Sequence, residues 1–481
     1  MLPPLLITVL FSAAYGHFAF ESGDPEPTLH DGTFLIQDVR VWQAGEIVGP
    51  MNLLIRDGWI EAMGPAGQDL SAPGEIIEIE AEEDWVIYPG LIHANWNSDV
   101  LATSDSSYDE EFTDPRSGPV PWMEYGPRHS IRGWMHVSDI LDWDADGADK
   151  WRGMGFTAGH VIPQQGLLRG RSALVSLNGL PLGEALLNRE GHQVFGLRSR
   201  GGYPGTPMGA LAVLRQILVD SARLNSGALR RSSDPDFSRL GPAIFVANGR
   251  RQIENVLDLL RDFAPDLPVV ILGGYEAWLF ADRLKQQNVA VLFEANFGEA
   301  MESEEDLKVK SSEERPYWQE PLGIREAIRL RHSESVAGFQ RLREAGVKCA
   351  LVPPKKGADW KDVCSQLKEN GMSATDLWSA SSVDVANVLN MQRIGKVKAG
   401  MGADFVIVTG DPGPEADIEW VFADGRGWEF EQADEDTDEG KEDGAKDSGD
   451  GEGANVDGTW KVEIQTPMER AGLLHYCESC P

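Results

Sequence analysis

The rhythm of residues 86–400 restricts the fold most. Short, β-branched apolar runs alternate with segments whose apolar positions recur every three or four residues. That alternation builds βα units on a parallel sheet, because parallel strands need a long crossover that a helix supplies. The strand-like runs are Val86-Ile87-Tyr88, Gly155 to Ile162, Ala243 to Val246, Val269 to Leu272, Val289 to Phe293 and Cys349 to Val352. Helices are expected at 211–224, 253–263, 276–286, 333–345 and 360–369, each with one apolar stripe suited to an outer layer packed on a barrel.

The flanks read differently. Phe34 to Trp42 and Asn52 to Ile55 alternate apolar and polar, and Asp57-Gly58 precedes Trp59-Ile60-Glu61-Ala62-Met63. An Asp-Gly step between apolar runs marks a type I′ hairpin, which needs positive φ at both central residues. Ala403 to Val408 and Ile418 to Phe422, followed by Asp424-Gly425, repeat this character at the other end. The economical arrangement is a composite β-sandwich from 30–88 and 400–430, with the region 89–399 inserted between its halves.

A chain of 481 residues with 42% hydrophobic content can bury cores for two such units. Its 43 basic and 77 acidic residues give a formal charge of -34, which repels phosphate backbones and anionic membranes and excludes nucleic acid as a partner. Much of the acid lies in 431–457, an Asp, Glu, Gly and Ala stretch too polar to offset its ordering entropy, read as a disordered linker. Beyond it, the tail 458–481 holds one alternating run, Gly458 to Ile464.

Met1-Leu2-Pro3-Pro4, the apolar run Leu5 to Ala14 and the small residues Ala14 and Gly16 resemble a secretory leader, 1–16, without the usual basic start. The alternative is a buried N-terminal strand or helix. The leader reading makes the protein secreted or periplasmic, and no later segment spans a membrane. Four cysteines are too few for a disulfide scaffold. Cys349 and Cys364 read as core thiols, and Cys477-Glu478-Ser479-Cys480 as a local or intermolecular disulfide rather than a redox motif.

Three separated blocks carry a more specific pattern. The first is Ile55-Arg56-Asp57-Gly58-Trp59-Ile60 leading to Val86-Ile87-Tyr88-Pro89-Gly90-Leu91-Ile92. The second is Arg152-Gly153-Met154-Gly155-Phe156-Thr157, followed by Gly166-Leu167-Leu168-Arg169-Gly170-Arg171-Ser172-Ala173. The third runs from Gly395-Lys396-Val397 through Gly402-Ala403-Asp404 to Val408. In this order the chain resembles the amidohydrolase superfamily, particularly its imidazolonepropionase-like branch, over residues 32–429. The resemblance implies an α/β fold, a TIM-like (β/α)8 barrel inserted in the small β-sandwich. It also implies hydrolysis of non-peptide carbon–nitrogen bonds by water activated on zinc or another divalent metal at the C-terminal strand ends.

The metal-ligand positions depart from that pattern. Where the family has Asp-Ala-His-x-His, this chain has His93-Ala94-Asn95-Trp96-Asn97; Val246 and Tyr275 stand where later histidines are expected, and Pro353-Pro354 replaces the final Ser-Asp. A neutral amide is a poor ligand for a transition metal, so the expectation is a barrel with no metal cofactor. His93, Asn95, Asn97, Tyr275 and Glu276 remain as candidates for holding a ligand at the barrel mouth, with Asp99 a further carboxylate. His160 reads as a satisfied buried histidine.

Two other motifs carry less. Asp142-Trp143-Asp144-Ala145-Asp146-Gly147 begins like a calcium loop but has Gly153 where a bidentate Glu is needed. Arg200-Gly201-Gly202-Tyr203-Pro204-Gly205 lacks the context of a phosphate loop. The functional expectation is an exported, non-catalytic or weakly active binding protein with a small cyclic amide as ligand. The alternatives are an active amidohydrolase with an unorthodox site and a structural partner of an active homologous subunit, within a homo- or hetero-oligomer.

Overall fold

The computed structural model describes residues 27–96 except 44; 131–226 except 144–147, 165, 199–203 and 205; 240–297; 322–410 except 355–357; 412–413; and 416–430. The leader 1–16, Asn97, Asp99, most of the Arg200–Gly205 run, the acidic segment 431–457 and the tail 458–481 lie outside the described residues.

Segments from both sides of the inserted region meet in one nine-stranded sheet. Its strands are β1 Thr28–His30, β2 Thr33–Gln43, β3 Glu46–Arg56, β4 Trp59–Pro65, β5 Ile76–Glu80 and β6 Trp85–Pro89, with β17 Phe405–Thr409, β18 Asp417–Ala423 and β19 Arg426–Glu429 from the far end. The order is β1-β19-β18-β17-β6-β2-β3-β4, and β5 pairs with β2. Asp57 and Gly58 have φ of 51° and 79°, Asp424 and Gly425 51° and 81°, so both Asp-Gly steps take the left-handed geometry of the expected turns.

This sheet curls. Strands β2 and β18 are three ladder steps apart, about 14 Å in a flat sheet, yet the rings of Phe34 and Phe422 meet edge to face with centroids 5.1 Å apart. Phe34, Ile36, Leu53, Ile55, Phe405, Ile407 and Phe422 share the enclosed core. The edge strand β4 returns to the segment before β17, where Ile60 N–H donates to Met401 O at 2.9 Å and Gly400 N–H to Ile60 O at 2.8 Å. The two halves thus form one continuous curled sheet around this core.

The inserted region supplies β7 Leu91–His93, β8 Phe156–Val161, β9 Leu168–Arg171, β10 Ala173–Ser176, β11 Leu186–Asn188, β12 Gln193–Phe195, β13 Ala243–Ala247, β14 Val269–Gly273, β15 Ala290–Glu294 and β16 Cys349–Val352. Strands β7 and β8 are parallel, as are β12 through β16. Between these groups, 168–176 forms one bent stave, with β10 antiparallel to β8 and β9 antiparallel to β12. Only residues 162–167 separate β8 from β9, too few for a parallel crossover. The third of eight staves therefore runs backwards, which a pure βα reading does not anticipate.

Ile92, Ala158, Leu174, Val194, Ile244, Leu272, Leu292 and Val352, one from each stave, belong to one apolar cluster, so all eight share an inner face. No ladder joins β16 to β7 among the described residues. Ile92 N–H instead donates to Ser381 O at 2.8 Å.

The helices are α1 Asp149–Arg152, α2 Leu182–Ala185, α3 Pro207–Asn225, α4 Arg250–Phe263, α5 Ala281–Gln286, α6 Leu322–Glu344, α7 Ala358–Glu369, α8 Ala374–Ala380 and α9 Val383–Val388. Ser381 lies between α8 and α9, and Val385 and Ala386 of α9 join the inner cluster. The run Val86-Ile87-Tyr88, read as a barrel strand, is β6 of the curled sheet, paired with β17 and β2. The first barrel strand begins one residue beyond Gly90, where a side chain would overlap Thr157.

Candidate functional site

Alternation along β7 sends Ile92 inward and its neighbours outward. His93 accordingly points into the helix layer, where its ring meets Trp151 edge to face at 4.7 Å and lies 5.9 Å from Phe156. Burial pushes it down to about 4, against the partial opposition of the Pro354 carbonyl, and neither ring nitrogen completes a hydrogen bond. The structure thus separates His93 from the barrel mouth: it is a neutral packing residue.

His160 is satisfied on both sides. Its Nδ1 lies 3.1 Å from Ala94 O and its Nε2 2.8 Å from Ser172 Oγ. A neutral ring donating from Nδ1 and accepting the Ser172 hydroxyl meets both partners. Burial, with the nearby His192, pushes it down to about 3, against the pull of the Ala94 carbonyl. The buried, satisfied histidine expected from the sequence is what the fold contains.

Past β7 the chain turns, and Asn95, 5% exposed, donates its side-chain amide to Glu294 Oε1 at 2.8 Å. Glu294 ends β15, paired with Val352 of β16. It is also the shared electrostatic neighbour of two further groups. Burial lowers the Arg169 guanidinium of β9 to about 10, and the Glu294 charge opposes this. Glycine at 196 leaves room there, since a side chain would sit 2.9 Å from two guanidinium nitrogens. Burial raises the Tyr275 hydroxyl above its ordinary range, and the Glu294 charge adds to the shift.

Asn95 of stave one thus meets Glu294 of stave seven, and Arg169 of stave three and Tyr275 of stave six lie within reach of the Glu294 charge. The Asn95 Oδ1 is buried without a hydrogen-bond partner. Glu294 and Arg169 escaped the sequence reading: Glu294 is the single acid closing the apolar run Val289 to Phe293, and Arg169 sat in a motif without an assigned strand.

Glu276 has a different place. It accepts the Arg250 N–H at 2.6 Å and so satisfies the first turn of α4, whose N-cap, Gly249, has no side chain to do it. Val246 belongs with the apolar inner layer beside Leu272 and Leu292, and Pro354 is buried just past β16.

This set does not fit a divalent metal. Among the described residues no three His, Cys, Asp or Glu side chains gather as ligands. Among the described residues of this set, one carboxylate, one amide whose nitrogen already serves it, and one protonated phenol are left, and the Arg169 guanidinium near Glu294 disfavours a cation.

A solved structure shares this architecture. An amidohydrolase from Thermotoga maritima MSB8 superimposes with a TM-score of 0.59 over 82% of this chain and 98% of that one, at 16% identity. The chain has an amidohydrolase-type fold. A Xaa-Pro dipeptidase with bound methionine aligns at TM-score 0.48 and 14% identity, over 83% of this chain and 100% of that one. Molinate hydrolase aligns at 0.45 and 13%, over 82% and 94%. No family model and no curated protein matches the sequence. Asn95, Tyr275 and Glu294 of the polar set described above lie at or just past the C-terminal ends of β7, β14 and β15. No helix among the described residues is long and apolar enough to cross a membrane.

Proposed function

We propose that the chain is an exported, metal-independent protein of the amidohydrolase superfamily, derived from its imidazolonepropionase-like branch, that binds a small cyclic amide at the barrel mouth. The observation that carries this reading is the Asn95–Glu294 hydrogen bond. At the first-strand position where the family places a metal ligand, the chain has an amide engaged by a protein carboxylate. An amide ligand has the complementary groups: its N–H can meet the buried Asn95 Oδ1, and its carbonyl can accept from Tyr275 or Arg169.

The test is calorimetric titration of purified protein with hydantoin and with 2-pyrrolidone, in the presence of a chelator. Saturable binding that weakens in Asn95→Ala and Tyr275→Phe supports the reading. Binding that requires added zinc, or turnover of either probe that zinc stimulates, contradicts it. Export is tested separately by the N-terminal sequence of the mature protein, which should begin near residue 17.

A further inference from the structure

A second polar cluster, centred on the buried Asp404, lies at the seam between the curled sheet and the barrel. Asp404, just ahead of β17, is 2% exposed. Its Oδ1 accepts the Asp424 N–H at 3.1 Å and its carbonyl accepts the Gly90 N–H at 3.1 Å, while its Oδ2 is buried without a hydrogen-bond partner. Asp424, at the β18–β19 turn, pairs with Arg393 and accepts the Asn178 side-chain amide at 3.2 Å. Arg393 stacks over Trp59 at 4.5 Å, and its Nε is also buried without a partner.

The charged groups facing Asp404 are thus Asp424 from the turn and Arg393 from the segment after α9. Arg426 of β19 is engaged elsewhere, donating to Asn178 O at 2.6 Å and pairing with Asp31 at 3.2 Å. A buried carboxylate, Asp404, and a half-buried one, Asp424, face one guanidinium, which pairs with Asp424. Full ionisation of both leaves a buried negative charge without compensation.

We propose that Asp404 holds a proton in the folded state and that releasing it loosens the seam anchoring the first barrel strand. Burial, with the charge of Asp424 adding to it, raises Asp404 to about 7, against the pull of the Asp424 N–H and Arg393. Asp424 is itself raised, mainly by burial. Between the ordinary value of 3.8 and about 7, the folded chain keeps a proton that the unfolded chain has released. Stability from this group is therefore lost as pH rises through that window and is level above it. Gly90, held by the Asp404 carbonyl, immediately precedes β7, so a loosened seam reaches the strand that leads to Asn95.

Urea unfolding of the wild type and Asp404→Asn between about pH 5 and about pH 8 tests this. The substituted amide mimics the protonated acid, so the variant should gain on the wild type as pH rises, by up to about tenfold in the folding equilibrium per pH unit. A difference independent of pH overturns the proposal. Exchange of the Gly90 amide, corrected for its intrinsic rate, should rise over the same window in the wild type; a flat profile also overturns it. Should Asp404→Asn fail to fold, Asp424→Asn serves: removing the neighbouring charge must move the carboxyl titration of Asp404, followed by carbon NMR, to lower pH. An unmoved midpoint overturns the proposal.

Discussion

Asn95 donates to Glu294 at 2.8 Å, tying the turn after the first barrel strand to the end of the seventh. Truncating Asn95 to alanine removes one donor from that carboxylate at a largely buried site. The expected cost is about 1.5–3 kcal/mol, the range for a hydrogen bond to a charged group. A double-mutant cycle in denaturant with Asn95→Ala and Glu294→Gln should show coupling between the two. Additive changes would mean that the two side chains do not hold each other.

Gly159 lies against the Trp96 indole, so a β-carbon there would overlap the ring. Gly159→Ala is expected to displace Trp96, and with it the turn that carries Asn95, at a cost of about 1–3 kcal/mol for overpacking. Reduced stability together with a changed tryptophan fluorescence spectrum checks this. An unaltered spectrum would place Trp96 elsewhere.

Two buried imidazoles, His93 and His160, and the half-buried His192 set the acid limit. Burial pushes His93 and His192 to about 4 and His160 to about 3, from an ordinary 6.5. Their folded values lie below the unfolded one, so their contribution is complete above pH 6.5 and is lost as pH falls toward 4. Each contributes at most about 1.4 kcal/mol per pH unit. Together they outweigh the opposite slope of Asp404 in that window. Unfolding midpoints measured across it should fall with acidification, with net proton uptake on unfolding.

Glu276 supports the start of α4 rather than a ligand. Glu276→Ala should lower stability by about 0.5–2 kcal/mol, as loss of a helix cap does, and leave the affinity for cyclic amides unchanged. Weakened binding at undiminished stability would return Glu276 to the mouth.

The hydrophobic period exposed most of the barrel, because buried parallel strands read as unbroken apolar runs, as Val269 to Leu272 do. Both Asp-Gly turns were equally plain, since their geometry is local. The reversed third stave was not legible: Leu168-Arg169-Gly170-Arg171 carries two charges, and its direction is set by the short link from β8. His93 looked like a ligand candidate by motif position, and strand alternation turned it outward. Glu294 and Arg169 are far apart in sequence, and it is the six-stranded sheet holding both β9 and β15 that makes them neighbours. The charge of Glu276 suggests a ligand contact, whereas its partner is a backbone amide exposed by a glycine at the helix start.

Elemental analysis of the protein, purified without chelator and then equilibrated with zinc, tests whether the site around Asn95 and Glu294 is metal-independent. Metal should stay well below one equivalent per chain, unchanged in Asn95→Ala and Glu294→Gln. One tightly held equivalent that is lost in either variant would contradict it.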